Sequence, residues 1–86
     1  MQYISSKRFD KQLSKFSDKI KNQCIEKIEI FIQNPYNETL NTHNLGGKYQ
    51  GCKSIQITGD IRIIYEIIEN DIAYFLAIGT HSELYK

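Results

Sequence analysis

Ile61-Arg62-Ile63-Ile64-Tyr65-Glu66-Ile67-Ile68, then Glu69-Asn70-Asp71, then Ile72-Ala73-Tyr74-Phe75-Leu76-Ala77-Ile78: two apolar runs joined by three polar residues decide the fold of this chain. β-Branched and aromatic residues dominate both runs, and such side chains suit the pleated surface of a sheet. In the first run Ile61, Ile63, Tyr65 and Ile67 fall on one face, with Asp60, Arg62, Ile64 and Glu66 on the other. The second run reads as a buried strand, and Glu69-Asn70-Asp71 as the turn between them. Working upstream, Ile55 and Ile57 alternate with Ser54 and Gln56, and Thr58-Gly59 suits a tight turn into Ile61. The pattern predicts a three-stranded antiparallel meander.

Before the meander the period changes from two to about 3.6. Phe9, Leu13, Phe16 and Ile20 recur at spacings of four, three and four, which marks one face of a helix. Ser5 or Ser6 supplies an N-cap, and Ser17-Asp18 places a second cap inside the pattern, so a break is expected there. The second helix is expected to bury Ile20, Cys24, Ile28, Phe31 and Ile32 and to end at Asn34-Pro35. Residues 36–48 are polar, contain Gly46-Gly47 and read as a loop carrying His43. Gln2-Tyr3-Ile4 reads as an opening strand, at an edge or beside the last strand. The order is then β-α-α-β-β-β, an α+β sandwich of two layers in which a helical hairpin packs on a largely antiparallel sheet.

Length and composition set the outer bounds. Eighty-six residues, 41% hydrophobic and 24% charged, fit one globular domain over 1–86. No apolar run approaches the ~20 residues that span a bilayer. Met1-Gln2-Tyr3-Ile4-Ser5 lacks a basic segment followed by a long apolar core, so no secretory signal is read and a cytoplasmic location is expected. Cys24 and Cys52 have neither CxxC nor zinc-ligand spacing, so both are expected as reduced thiols, with no metal and no cofactor. The net charge of +1 is uneven: residues 1–30 carry seven Lys/Arg against four acids, while residues 66–86 carry four acids against Lys86. A basic first segment is a footprint for nucleic acid, and equally an ordinary solvated helix face.

The polar residues that the meander brings together can do chemistry. Gln56, Asp60 and Arg62 project from adjacent strands on the face away from the helices, His43 arrives from the preceding loop, and His81 and Tyr85 follow the last strand. Attack of an RNA 2′-hydroxyl on its own phosphate needs a base, a cation at the phosphorane and an acid at the leaving 5′-oxygen. Histidine suits proton transfer because its ordinary pKa, about 6.5, lies near working pH. Arginine donates paired hydrogen bonds to a phosphate, and tyrosine stacks on an unpaired base. The same residues also fit plain surface roles: His43 solvated in a loop, Arg62 paired with Glu66 or Asp60, Asp60 as a turn residue, and His81 and Tyr85 in a packed tail. HExxH, P-loop and G-x-S-x-G motifs are absent.

Three blocks carry a resemblance: His43-Asn44-Leu45-Gly46-Gly47 with Gly51, Gly59-Asp60-Ile61-Arg62-Ile63-Ile64-Tyr65, and Gly79-Thr80-His81-Ser82-Glu83-Leu84-Tyr85. Together they make the whole chain resemble the RelE/ParE superfamily of type II toxin–antitoxin toxins, and most of all its YafQ-like branch. That resemblance implies a metal-independent endoribonuclease that cuts messenger RNA in the ribosomal A site. It also implies silencing by a cognate antitoxin in a hetero-oligomer. By position it implies His81 as the catalytic acid, His43 and Asp60 as the family's loop histidine and acidic residue, and Arg62 as the contact to the scissile phosphate. Tyr85 takes the place of the closing aromatic that positions the base. The chain departs from the branch at Gln56, where a histidine is usual, and it lacks the active-face lysines of RelE. Ser54 and Gln56 occupy that region, with Lys53 as a neighbour, and these three are the expected substrate contacts. Two further readings on this fold are a ParE-like inhibitor of DNA gyrase and a catalytically weakened toxin that serves as an antitoxin-binding module.

Overall fold

Two serines set the helix boundaries. In the computed structural model, which describes residues 1–85, Ser6 Oγ accepts from the Phe9 N–H at 2.9 Å and opens α1 (Lys7–Ser14). Ser17 Oγ accepts from the Ile20 N–H at 3.3 Å and opens α2 (Asp18–Gln33). Each cap satisfies one of the free N–H groups of a helix start, worth ~1 kcal/mol against alanine. Helix α2 stops at Asn34, whose extended backbone is what the following Pro35 favours.

Strands β1 (Gln2–Ser5), β2 (His43–Asn44), β3 (Lys53–Gln56), β4 (Ile61–Glu69) and β5 (Ile72–Thr80) form one sheet in the order β1-β5-β4-β3-β2. β1 runs parallel to β5, and the other pairs are antiparallel. The expected β-α-α-β-β-β order is present, with additions: β2, two residues long, lies inside the segment read as loop, and short helical turns occur at Glu38–Leu40, Gly47–Tyr49 and His81–Leu84. β1 is both an edge strand and the neighbour of the last strand. Beyond Ser5 the side chains of Ser6 and Gln12 take over part of the open edge of β5. Ser6 Oγ donates to Leu76 O, and Gln12 Oε1 accepts from the Ile78 N–H, each at 2.9 Å, so edge groups that no strand pairs are still satisfied.

Alternation sorts the strand residues onto two faces. Ile61, Ile63 and Tyr65 of β4 face the helices and join Phe9, Cys24, Ile28, Phe31 and Phe75 in the main core. Phe75 is its hub, with ring centroids of Tyr3, Phe9 and Phe31 at 4.8, 5.5 and 5.6 Å. A register shift at Leu76 lets β5 serve both sides: Phe75 and Ile78 point to the main core, whereas Ala77 joins Ile64 on the other face. Ile67 keeps the inward side, opposite Ala73 of the main core, but is exposed, and a second shift follows between it and Glu69. Ile32, expected on the buried face of α2, is exposed as well. No helix among the described residues is long and apolar enough to cross a membrane.

Candidate active site

Residues directly opposite on neighbouring strands share a face. Gln56 lies opposite Arg62, and Arg62 opposite Gly79. One row along, His43 lies opposite Ser54, Ser54 opposite Ile64 and Ile64 opposite Ala77. His43, Ser54, Gln56 and Arg62 therefore share the face away from α2, as the alternation predicts. Ser54 is only 3% exposed, so it underlies this surface rather than forming it. Lys53 does not join the group. Its neighbours in the strand fix it on the opposite face, across from Tyr65, and its Nζ lies 3.5 Å from Tyr36 Oη and 5.4 Å from the centre of that ring.

His81 and Tyr85 are brought over this face by a single helical turn, α3 (His81–Leu84). Thr80 Oγ1 accepts from the Glu83 N–H at 3.2 Å, and Glu83 Oε1 accepts from the Thr80 N–H at 2.8 Å, a reciprocal capping box. Leu84 is fully buried in the small core with Ile64 and Ala77, which pins the turn to the sheet. Gly79 permits the close fold-back: a Cβ there would lie 3.3 Å from Glu83 Oε1 and 3.5 Å from Leu84 Cδ2. The exposed His81 and Tyr85 rings, four residues apart, meet at 4.7 Å with planes 32° apart. The His81 backbone N–H donates to Asp60 Oδ1 at 3.4 Å, tying α3 to the turn that precedes β4.

Gln56 is held on both sides of its amide. Its Oε1 accepts from Asn41 Nδ2 at 2.8 Å, and its Nε2 donates to Gly59 O at 3.3 Å. It thus braces the turn that carries Asp60 against the segment leading into β2. Arg62 is half-buried, and its Nε is buried with no hydrogen-bond partner among the described residues. Asn41, at φ 48° in the left-handed region, was not legible as a partner of Gln56. Tyr49 was missed too. It lies between two glycines of positive φ, Gly47 at 60° and Gly51 at 88°, and that glycine bracket is the signal that could have marked it. Cys52 is buried on this face, where burial and the nearby Glu66 push its thiol pKa up, so it is a poor nucleophile. Among the described residues no three His, Cys, Asp or Glu side chains cluster to hold a metal ion.

The arrangement collects a carboxylate, two imidazoles and a guanidinium on one strand-built surface, a set suited to proton transfer beside a phosphate. Comparison with known proteins bears on the fold and the family. The fold matches YafQ from Escherichia coli strain BL21(DE3) with a TM-score of 0.80 at 20% identity, over 99% of this chain and 98% of that one. It matches a YoeB/ParE toxin from Agrobacterium tumefaciens with a TM-score of 0.79 at 14% identity, over 94% and 99%. The E. coli DinJ–YafQ toxin–antitoxin complex contains a chain that matches with a TM-score of 0.71 at 20% identity, over 99% and 97%. At these identities the likeness is one of fold. No curated protein matches by sequence. The family model described as bacterial toxin of type II toxin–antitoxin system, YafQ, matches residues 1–86, the entire chain, and the chain therefore belongs to the YafQ family of type II toxins.

Proposed function

We propose that this toxin is a metal-independent endoribonuclease that cuts messenger RNA in the ribosomal A site. The observation that carries the reading is the hydrogen bond from the His81 backbone to Asp60, which ties the turn bearing His81 and Tyr85 to the residues just before the strand that bears Arg62. In the reaction the 2′-oxygen attacks the adjacent phosphorus while the bond from phosphorus to the 5′-oxygen breaks. Asp60 or His43 takes the 2′-hydroxyl proton, and His81 gives a proton to the departing 5′-oxygen. The products are a 2′,3′-cyclic phosphate and a 5′-hydroxyl end. Arg62 donates to the phosphate oxygens as negative charge builds on them, a stabilisation greater in the transition state than in the ground state. Tyr85, 37% exposed, offers a ring face to an unpaired base, a contact worth ~1–3 kcal/mol in single-strand binders.

Gln56 takes a bracing part in this scheme, because its carbonyl oxygen and amide nitrogen are both engaged within the fold. Binding to the ribosome draws on the basic residues of the first thirty positions, since affinity for RNA is largely electrostatic. Relatives have been solved as DinJ–YafQ and YoeB–YefM complexes, and we assign this chain an antitoxin partner of the same kind, one that folds on the toxin surface. Mapping 5′ ends of ribosome-bound mRNA after brief induction tests the activity. New ends at the A-site codon are expected. Intact mRNA with gyrase-dependent DNA breaks would overturn the reading in favour of a gyrase inhibitor.

A further inference from the structure

We infer that Tyr49, steadied by Arg8, is a positioning residue for the acid–base site, acting through α3. The Tyr49 hydroxyl is used in both directions. Arg8 Nη2 donates to Tyr49 Oη at 3.2 Å, and Tyr49 Oη donates to the Leu84 carbonyl oxygen at 2.9 Å. The hydroxyl therefore links α1 to the end of α3, across 35 residues of sequence on the α3 side. Its ring is 7% exposed and packs in the small core with Ile64, Ala77 and Leu84. That ring and Tyr85 stand perpendicular, 5.4 Å apart at 88°, and Tyr85 in turn lies against the His81 imidazole at 4.7 Å.

A turn of four residues does not hold itself. Helices this short are unstable alone, and the carbonyls of a last turn have no intrahelical donor. Inside α3 the Tyr85 N–H donates to His81 O at 3.1 Å, while the Leu84 carbonyl is satisfied from outside the turn, by Tyr49. The two glycines of positive φ, Gly47 and Gly51, shape the short 3₁₀ turn that delivers the tyrosine. Acid–base groups lose efficiency when displaced by less than an ångström. Tyr49 and Arg8 touch no reacting group, and they act by fixing where His81 and Tyr85 stand. The inference rests on the reading of His81 as the proton donor.

The test compares Tyr49→Phe, which keeps the ring and removes both hydrogen bonds, with Arg8→Met, which removes only the outer donor. Cleavage of ribosome-bound mRNA is measured in single turnover across ribosome concentrations, and the His81 ring protons are followed by NMR in the free toxin. For Tyr49→Phe the maximal rate should fall about tenfold with half-saturation unchanged, the signature of misplacement rather than lost binding. For Arg8→Met, at an exposed position, the maximal rate at saturating ribosomes should fall about threefold, in line with one outer hydrogen bond, whatever its half-saturation does as a basic residue of the ribosome-binding segment. In both variants the His81 ring protons should shift, because the ring current of Tyr85 no longer bears on them in the same way. The His43 signals should stay in place. Rates within twofold of the parent with an unmoved His81 signal, while His81→Ala is inactive, would overturn the inference. Full activity in His81→Ala would instead remove the proton-donor reading, and the NMR arm would still decide whether Tyr49 orders the turn.

Discussion

On the α2 side of the sheet Phe31, Tyr65 and Phe75 interlock edge to face, and the strand residues are fully buried isoleucine and alanine. On the other side Ile64, Ala77 and Leu84, closed by Tyr49 and Cys52, make a patch just large enough to seat one helical turn. Around that patch the surface belongs to His43, Gln56, Arg62, His81 and Tyr85. The contrast teaches how an 86-residue chain divides its sheet. Burial on one face supplies the stability, which leaves the other face free to keep half-buried charge and a small, specifically pinned turn.

The largest effect that can break this contrast is on the α2 face. Phe75→Ala removes the ring on which Tyr3, Phe9 and Phe31 converge, and a loss of about 3–5 kcal/mol is expected in denaturant unfolding. A loss below 1 kcal/mol would show that stability is not concentrated there. A smaller effect comes from pH on the same face. Burial pushes the Cys24 thiol from 9.0 up to about 11, so between those values the unfolded chain releases the proton first. Stability is thus undiminished by this group below pH 9 and falls as pH rises toward 11, by about 3 kcal/mol in all. Cys24→Ala should flatten that alkaline decline, and an unchanged slope would contradict it. Smaller again is Gly51→Ala on the site face, where φ is 88° and a side chain is strained by about 1 kcal/mol. Its melting temperature should drop by a few degrees while the α2 face keeps its tight packing, as near-UV circular dichroism of the buried aromatics would register.

The sequence disclosed the architecture where local chemistry and burial agree. Ser6 and Ser17 cap the helices as their positions suggest, and strand parity correctly places Gln56 and Arg62 on one face. Features that depend on contacts far along the chain were not legible. β2 is two residues long and has no alternation of its own to display, so His43-Asn44 reads as loop until β3 pairs with it. The bulge at Leu76 turns Ala77 away from the side Phe75 faces, which an unbroken apolar run conceals. Lys53 sits beside Ser54 in sequence, and the same parity that groups Gln56 with Arg62 sends it to Tyr36 instead. The bond from Tyr49 to Leu84 appears only after α3 has folded back, so the flanking glycines could mark Tyr49 as specially placed but not name its partner.

The central claim is that the chemistry resides on the thin face and is separable from the fold. His81→Ala tests it most directly, because His81 is exposed and its backbone, not its ring, makes the bond to Asp60. Cleavage of ribosome-bound mRNA and unfolding by denaturant are to be measured on one preparation. The account predicts a loss of about 10²-fold or more in cleavage with stability unchanged to within ~0.5 kcal/mol. Cleavage at the parent rate, or loss of activity only in step with loss of the fold, would contradict it.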